Sequence, residues 1–385
     1  MNLTVVGLDG TALPPDAVAA LDHAQIVVGA PHQLTQVVVP PSATVLGPGA
    51  LDRLTGTSRT VVLASGDPGF FGVLRALRTR GLAPTVLPAR SSVARAFALL
   101  GRPWDDVAVV SAHGRSLRPA LNVCRSHPAV AVFTAPGAGA PEIMAGLAGW
   151  HRSVLVAEDL GGPAQRLRHY DGGPVRDPHI VLCLADEHAI PSRSWIAGGE
   201  PGPPATGWAL DEPKFTHRDG MITKSEVRAL ALSRLGPAPG RLVWDLGAGS
   251  GSVGVECARF GAAVIAVERD PNQCCRVLAN ARTHQVDVRI VEGTAPAVLD
   301  GLPEPDAAFV GGGGPEVVRA AAKVAPRIVV ALAALDRVAP CRAALLEAGH
   351  QVDGVQLAAS RLAELPDGSV RLAAINPILL LWGRR

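Results

Sequence analysis

Residues 241–252 read Arg241-Leu-Val-Trp-Asp-Leu-Gly-Ala-Gly-Ser-Gly-Ser252, an apolar strand that ends in an acid and runs into a glycine-rich turn. Glycines let the backbone approach a bound molecule closely, and the helix that follows the turn offers N–H groups that lack partners within the helix. The next strand ends at Glu268, where a carboxylate can hold both hydroxyl groups of a ribose. The stretch therefore predicts a nucleotide-type site made of Asp245, Gly247, Ala248, Gly249, Ser250, Gly251 and Glu268.

The same turn is compatible with two classes of cofactor. Gly249, Gly251 and Gly254 satisfy the spacing GxGxxG, which occurs in dehydrogenases that bind a dinucleotide. Asp245 favours S-adenosylmethionine instead, because a carboxylate at this point attracts the cationic methionine end of that molecule and repels a pyrophosphate. We therefore favour a methyltransferase over a dehydrogenase for this half of the chain.

A second turn, Gly-Thr-Ala-Pro at residues 293–296, follows the next strand and is in position to cover an adenine ring. It adds Gly293, Thr294 and Ala295 to the predicted cofactor contacts. Two simpler interpretations stay open: Asp245 caps a helix or braces the loop, and Glu268 taken alone is a solvated strand end.

Strand-like and helix-like segments alternate along nearly the whole chain, which is typical of the α/β class. In the N-terminal part of the chain the pattern predicts strands over residues 3–7, 25–29 and 60–64 and helices over residues 15–23, 69–80 and 91–101. Between residues 191 and 206 the sequence is rich in proline and glycine and has no hydrophobic periodicity, as expected of a linker between domains. We predict one α/β domain over residues 1–190, a linker over residues 191–206 and a second α/β domain over residues 207–385.

Composition excludes several other classes of protein. The 385 residues correspond to two or three domains at about 150 residues each, and 48% are hydrophobic, which is ample for buried cores. The net charge of +2, without a dense basic run, argues against nucleic acid, and no apolar stretch approaches the ~18 residues of a membrane span. The first residues lack a basic signal region and the six cysteines have no CxxC spacing, so we expect a cytoplasmic protein with reduced thiols and no metal site.

The C-terminal half resembles a known family. The segments Asp211-Glu-Pro-Lys-Phe and Met221-Ile-Thr-Lys-Ser-Glu-Val-Arg, together with the two turns above and Phe309-Val-Gly-Gly-Gly-Gly, resemble the decarboxylating precorrin methyltransferase domain of cobalamin biosynthesis. The resemblance covers about residues 207–385 and implies a Rossmann-like class I methyltransferase. It adds Thr223 to the S-adenosylmethionine contacts and supports those in the turns. Ala331 stands where relatives often have asparagine, which puts any polar contact from that strand in doubt.

The N-terminal half carries a different loop, Val61-Val-Leu-Ala-Ser-Gly-Asp-Pro-Gly-Phe-Phe-Gly72. Taken alone, this is a strand followed by a proline-fixed turn with one acid, Asp67. Together with Val5-Val-Gly-Leu-Asp-Gly, Ser91-Ser92-Val, Ser111-Ala-His-Gly-Arg and Glu158-Asp-Leu-Gly-Gly-Pro, it resembles the tetrapyrrole methylase family over about residues 1–190. That family binds S-adenosylmethionine in a cleft between two α/β halves, and the implied cofactor contacts here are Gly66, Asp67, Ser91 and Ser92.

The resemblance also suggests substrate contacts at His113 and Arg115, since a precorrin bears many carboxylate arms and arginine binds carboxylates in a bidentate manner. A structural role for either residue is the alternative. After Pro163 the chain has Ala164-Gln165-Arg166 where relatives often have an acidic pair, which weakens a carboxylate role there.

The two resemblances together imply an enzyme with two S-adenosylmethionine sites that methylates two meso carbons of a precorrin and removes the carboxyl group of a ring acetate. Polar groups available for the decarboxylation are Asp211, Glu212, His217, Arg218 and Lys224, which the sequence does not rank, and the catalytic residues stay unknown. The expected partners are the precorrin tetrapyrrole and further copies of this chain in a homo-oligomer, with no nucleic acid and no membrane. The alternatives are a methylase for a different precorrin or a cobalt-precorrin, a Rossmann dehydrogenase, and a non-catalytic tetrapyrrole carrier.

Overall fold

The computed structural model describes residues 2–55, 58–190, 197, 207–218 and 220–385. The chain forms two compact units, of which unit 1 comprises residues 1–115, 129–145 and 152–197, and unit 2 comprises residues 116–128, 146–151 and 198–385. Of the linker predicted over residues 191–206, only Ala197 is among the described residues. The domain limits read from the sequence therefore stay a prediction.

The described elements alternate between strand and helix. The α-helices are α1 (Pro15–Asp22), α2 (Pro31–Leu34), α3 (Val73–Thr79), α4 (Ser92–Leu100), α5 (Leu117–Ser126), α6 (Ala140–Gly146), α7 (Ser225–Leu235), α8 (Ser252–Arg259), α9 (Pro271–Thr283), α10 (Gly314–Val324) and α11 (Val338–Glu347). The strands are β1 (Leu3–Leu8), β2 (Ile26–Val28), β3 (Thr44–Leu46), β4 (Thr60–Ser65), β5 (Thr85–Leu87), β6 (Ala108–Ser111), β7 (Ala129–Phe133), β8 (Ser153–Glu158), β9 (Arg166–His169), β10 (His179–Leu184), β11 (Leu242–Leu246), β12 (Ala263–Glu268), β13 (Arg289–Glu292), β14 (Ala307–Val310), β15 (Arg327–Leu332), β16 (Gln351–Leu357), β17 (Ser360–Glu364), β18 (Val370–Ala374) and β19 (Ile378–Arg384). Short 3-10 helices span Pro48–Arg53, Glu212–Lys214 and Leu335–Arg337.

Unit 1 contains two five-stranded sheets. The first has the order β3-β2-β4-β1-β5 and is parallel throughout. Its central strands β1 and β4 are almost continuously apolar, because a parallel sheet is covered on both faces. The second sheet has the order β6-β7-β10-β8-β9, in which β6 and β7 are parallel and the other pairs antiparallel. Helix α4 packs on this second sheet through Val93 and Phe97.

Unit 2 is built on a seven-stranded sheet of order β13-β12-β11-β14-β15-β19-β16. The strands from β13 to β15 are parallel, and β19 runs antiparallel to both of its neighbours. Strand order reverses at β11, since β12 lies on one side of it and β14 on the other. The carboxyl ends of strands at such a point form the usual crevice for a ligand in an open α/β sheet. The sheet therefore puts the turns after β11 and β12 at one edge.

Several elements differ from the sequence predictions. The helix predicted over residues 69–80 begins only at Val73, because Phe71 and Gly72 adopt positive φ angles of 47° and 149° that a helix cannot contain. The short strands β3 and β5 were not predicted, since three residues carry too little alternation to be recognised. The six cysteines are free thiols, five of them buried. No helix among the described residues is long and apolar enough to cross a membrane.

Candidate functional site

The glycine-rich turn of unit 2 owes its shape to backbone geometry. Gly247, Gly249 and Gly251 have φ angles of 68°, 56° and 75°, in the left-handed region that favours glycine. The turn is fixed to the neighbouring strand, because the N–H groups of Gly247 and Ala248 both donate to the carbonyl of Val267, at 2.9 and 3.1 Å. The predicted loop is therefore a rigid turn at the carboxyl edge of the sheet.

Two of these glycines are also required by close packing. A Cβ atom at Gly247 would lie 2.9 Å from the backbone nitrogen of Gly312, and one at Gly251 would lie 2.9 Å from Val277. At Gly249 a Cβ would meet no heavy atom within 4 Å, so the turn opens onto free space at this residue. A ligand can therefore approach the backbone at Gly249.

Asp245 lies at the end of β11 and is 1% exposed. Its Oδ2 accepts a hydrogen bond from the N–H of Gly254 at 2.8 Å, in the first turn of α8. Burial raises the pKa of Asp245 to about 7, against the lowering effect of that hydrogen bond. The described contact is thus the loop-bracing one, and a contact with the cofactor stays a prediction. The same carboxylate explains Gly254, where a Cβ would lie 2.8 Å from Oδ2.

Glu268 holds the turn from the neighbouring strand. Its Oε2 accepts from the N–H of Gly249 at 2.8 Å, and its Oε1 accepts from those of Arg269 and Asp270, at 2.8 and 3.0 Å. A carboxylate has about four lone-pair positions, so one is left for a further donor. Glu268 is therefore a fixed part of the loop and not a freely solvated strand end, while its bond to a ribose stays a prediction.

The turn predicted to cover an adenine lies directly beside Glu268. The N–H of Gly293 donates to the carbonyl of Glu268 at 2.9 Å, which ties the two strand ends together. Thr294 is exposed, whereas Ala295 packs against the core of the sheet. The structure thus brings together the predicted residues of both turns at one sheet edge.

Thr223 lies in a segment of unit 2 that a buried arginine and its ion pair hold in place. The guanidinium of Arg228 donates to the carbonyls of Thr223 and Leu210, and its Nε lies 3.2 Å from Oε1 of Glu256. Arg228 and Glu256 are both fully buried. This pair was not predicted from the sequence, because a charged residue within a helix is more often solvated.

Ser250 is held from another helix. Its carbonyl accepts from Nδ2 of Asn280 at 2.8 Å, and the same amide bonds to both backbone groups of Thr216. Asn280, 1% exposed, was not predicted, since a lone asparagine within a helix has no recognisable motif. It connects the glycine-rich turn to the segment that carries Thr223.

The polar residues proposed for decarboxylation have different surroundings. Glu212 accepts two bonds from the Arg361 guanidinium, at 2.7 and 3.0 Å, and these bonds lower its pKa to about 2. Glu212 is therefore ionised at neutral pH and cannot serve as the proton donor. Nδ1 of His217 accepts from the N–H of Gly220 at 3.2 Å. Nζ of Lys224 donates to the carbonyl oxygen of Gly220, also at 3.2 Å.

Unit 1 contains a cavity of about 1220 Å³ that is partly open to solvent. Among its lining residues are four that were predicted from the sequence: Gly66, Ser92, His113 and Arg115. Asp67 and Ser91 are not lining residues and instead fix the backbone nearby. Oδ1 of Asp67 accepts from the N–H of Gly69 at 2.8 Å, and Oγ of Ser91 accepts from that of Ala94 at 3.1 Å as the cap of α4. Their direct contact with a cofactor stays a prediction.

One wall of this cavity is aromatic. Phe70, Phe71 and Phe133 all line it, with ring centroids 5.1 to 6.0 Å apart. Phe71 is 38% exposed and has a φ of 47°, a costly conformation that is concentrated at functional sites. The sequence motif covered Phe70 and Phe71 but gave no indication that Phe133 would join them.

The departure after Pro163 has a structural explanation. Glu158 is fully buried and binds Arg166 at 2.6 Å and Arg168 at 3.1 Å. Hydrogen bonds from Arg166, the backbone of Arg176 and Arg168 outweigh burial and lower the pKa of Glu158 to about 2. Arg166 thus has a local partner at the position where relatives often have an acid. Among the described residues, no cluster of histidine, cysteine and acidic side chains could hold a metal ion.

Comparison with known families matches both halves of the chain. The family model of tetrapyrrole (corrin/porphyrin) methylases matches residues 6–173, and that of the precorrin methyltransferase domain matches residues 214–366. The two matches agree with the resemblances found in the sequence.

Individual relatives give the same result. The chain is 41% identical over 281 residues to a precorrin-6Y C(5,15)-methyltransferase [decarboxylating] of Sinorhizobium sp, an alignment that covers 67% of this chain and 63% of the relative. It is 32% identical over 335 residues to the protein of that name from Mycobacterium tuberculosis H37Rv, with 80% and 79% covered. A probable cobalt-precorrin-6B C(15)-methyltransferase (decarboxylating) of Pyrobaculum calidifontis is 35% identical over 190 residues, which are 46% of this chain and 96% of the relative.

Proposed function

The chain belongs to the family of decarboxylating precorrin-6Y C(5,15)-methyltransferases, and we propose that it uses two separate S-adenosylmethionine sites, one in each unit. The reaction proposed is methylation of two meso carbons of a precorrin of the precorrin-6Y type, with loss of carbon dioxide from a ring acetate, in cobalamin biosynthesis. The observation that carries the proposal is the presence of two structurally unrelated candidate sites on one chain.

The turn of unit 2 fits the cofactor in three respects. The backbone is open at Gly249, Glu268 lies beside it with a lone-pair position to spare, and Asp245 lies beneath the first turn of α8. An ionised carboxylate at Asp245 would repel a pyrophosphate, which disfavours the dehydrogenase alternative. Residues Gly247–Gly251, Glu268 and the turn at 293–295 would hold the molecule, which supplies an electrophilic methyl group on a sulfonium.

The cavity of unit 1 fits a cofactor together with a large substrate. Its volume of about 1220 Å³ exceeds the usual ~300–1,000 Å³ of a pocket for one small molecule. Gly66 and Ser92 would line the cofactor end, and His113 and Arg115 the substrate end. The aromatic wall suits the face of a flat macrocycle.

We assign methylation at C15 and decarboxylation to unit 2. The Pyrobaculum relative, whose name specifies these two steps, is matched over 96% of its length by 190 residues, about half of this chain. The precorrin methyltransferase domain is matched within residues 214–366. By difference, unit 1 would methylate C5.

The chain's own contribution to either transfer is orientation and charge. Holding two reactants in line can lower a barrier by ~7–11 kcal/mol, and the rigid turn of unit 2 is suited to that role. For decarboxylation, cationic side chains must hold the acetate while its bond to the carboxyl carbon breaks, the ring accepts the electron pair, and a proton must then reach the methylene carbon that has lost carbon dioxide. With Glu212 ionised, His217 and Lys224 are the residues of this segment that we propose for those tasks.

The test uses the full chain with a reduced precorrin and S-adenosylmethionine that carries a deuterated methyl group. We expect a product with two labelled methyl groups and one carboxyl group fewer by mass spectrometry, and two cofactor molecules bound per chain by equilibrium dialysis. A single methyl group or a single bound cofactor would refute the two-site proposal. Enhanced NADH fluorescence on mixing would instead support the dehydrogenase.

A further inference from the structure

The cavity of unit 1 is lined by five arginines, which differ in whether the protein already uses them. They are Arg75, Arg80, Arg90, Arg95 and Arg115. An arginine that is bound by neighbouring protein groups supports the fold, whereas an unpaired one remains able to bind a ligand. The hydrogen-bond partners of the five arginines therefore show which of them support the fold and which are candidates to bind a ligand.

Three of the arginines are fixed by the protein. Arg80 donates to the carbonyls of Leu51 and Leu54, and Nε of Arg90 lies 2.8 Å from Oδ2 of Asp9. Arg95 donates to the backbone carbonyl of Asp9. These side chains hold the wall of the cavity together.

Arg75 and Arg115 are different. Both are exposed, and within the described residues neither guanidinium forms a hydrogen bond or an ion pair. Arg75 lies on α3, one turn after Phe71, while Arg115 follows β6 on the second sheet. The two cations thus come from the two α/β halves of unit 1, and Arg75 shares its segment with the aromatic wall.

None of the four aspartates that line the cavity forms an ion pair with Arg75 or Arg115 in the part of the chain that the structure describes. Asp9 is bound by Arg90, and Oδ2 of Asp159 accepts from the N–H of Ala164 at 2.8 Å. Asp177 lies 2.8 Å from Nδ1 of His179. Asp52, the fourth aspartate of the lining, is exposed and forms no hydrogen bond or ion pair with either arginine among the described residues. Both guanidinium groups are therefore available to an anionic ligand.

We propose that Arg75 is a specificity-determining residue of unit 1 that binds one carboxylate arm of the tetrapyrrole, while Arg115 binds another. This inference rests on the proposed function. Two arginine forks on opposite halves of the cavity would fix the rotation of the macrocycle and so choose which meso carbon faces the methyl donor. Arg75 was not singled out in the sequence, because it lies in a helix outside the family motifs.

The experiment compares Arg75→Gln with Arg78→Gln in the full chain. Arg78 lies on the same helix and is also exposed, but it does not line the cavity. We expect the Arg75 variant to raise KM for the precorrin at C5 methylation by 10- to 100-fold and to leave both cofactor binding and carbon dioxide release unchanged. Arg78→Gln should behave as wild type, and Arg75→Lys should restore part of the loss because it keeps the charge.

Two results would overturn the inference. If Arg75→Gln matches Arg78→Gln in KM, Arg75 does not bind the substrate. If it weakens S-adenosylmethionine binding by calorimetry and leaves KM for the precorrin unchanged, Arg75 belongs to the cofactor site. Failure of the proposed function looks different, since wild-type protein would then transfer no methyl group to the precorrin.

Discussion

Unit 2 concentrates most of its candidate cofactor site in residues 245–251, whereas unit 1 draws its cavity from residues between Leu8 and Ile180. The first site is made by backbone angles and close approaches, as at Gly247 and Gly249. The second is made by side chains from two sheets, among them Phe71 and Arg115. A site made by backbone is conspicuous in a sequence and intolerant of substitution, while a site made by distant side chains is inconspicuous and can be altered one contact at a time.

The largest effect is expected from Arg228→Met in unit 2. This change leaves Glu256 buried with one ionic partner fewer, and breaking a buried pair costs about 3–5 kcal/mol. We expect the free energy of unfolding of unit 2 to fall by that amount and methylation at C15 to fail first on warming. Urea denaturation followed by circular dichroism measures the change, with the exposed Arg282→Met as the control. Equal stability of the two variants would contradict the anchoring role of Arg228.

A backbone-made site should also respond to a single methyl group. Gly247→Ala places a Cβ 2.9 Å from the nitrogen of Gly312 and forces alanine to a φ of 68°. Gly301→Ala imposes a similar φ of 81° with no atom within 4 Å, so it isolates the conformational cost of about 1–2 kcal/mol. We expect only Gly247→Ala to abolish C15 methylation and carbon dioxide release, with C5 methylation retained. Activity at both carbons in Gly247→Ala protein would mean that the turn is not the site.

The carboxylate beside the turn offers a smaller test. Glu268→Ala removes the carboxylate that we propose to bind the ribose, together with the acceptor for the N–H of Gly249. A charge-assisted hydrogen bond to the ribose would contribute roughly 1.5–3 kcal/mol. We expect cofactor binding at unit 2 to weaken by about 10- to 100-fold in calorimetry, with unit 1 unaffected. Glu292→Ala is the matched control, because Glu292 is the exposed register neighbour of Glu268 on β13. An affinity equal to that of the control would remove Glu268 from the site.

The smallest expected effect is on the pH dependence of stability, which should have opposite signs for one buried acid in each unit. Asp245 in unit 2 has its pKa raised by burial to about 7, so the folded state keeps a proton that the unfolded state has lost above pH ~4. Its contribution to stability therefore falls as pH rises from about 4 to 7, by at most about 1.4 kcal/mol per pH unit. Asp245→Asn, which keeps an acceptor for Gly254, should remove that slope.

Glu158 in unit 1 has the opposite sign. Its pKa is lowered to about 2, so its contribution is present above pH ~4.5 and is lost as pH falls toward 2. Because the contribution of Glu158 changes only below pH ~4.5, urea denaturation of wild type and Asp245→Asn between pH 4 and 7 measures the contribution of Asp245. An unchanged slope in the variant would show that Asp245 does not carry the proton.

The sequence predicted the α/β class and the turns of unit 2 because local backbone conformation explains the identity of each residue there. Glycine is favoured at a left-handed φ, and the apolar strand β11 gives way to the turn at Gly247, directly after Leu246. The helix α3 was placed too early, because the strain at Phe71 depends on its packing beside Phe133 and not on its neighbours in sequence. The strand β16 was missed because its residues are mostly exposed and show little apolar alternation.

By itself, the sequence determined the family through the resemblance of its motifs. It also determined the two α/β series and the glycines of the turns, since these follow from local apolar patterns and short-range geometry. Only the tertiary structure decided what the charged residues do. Glu212 and Glu158 became ionised partners of arginine, Asp245 became a buried brace, and Arg75 was left unpaired in a cavity. The reason is physical: the state of a charge depends on desolvation and on partners that lie far away in the chain, neither of which is encoded by neighbouring residues.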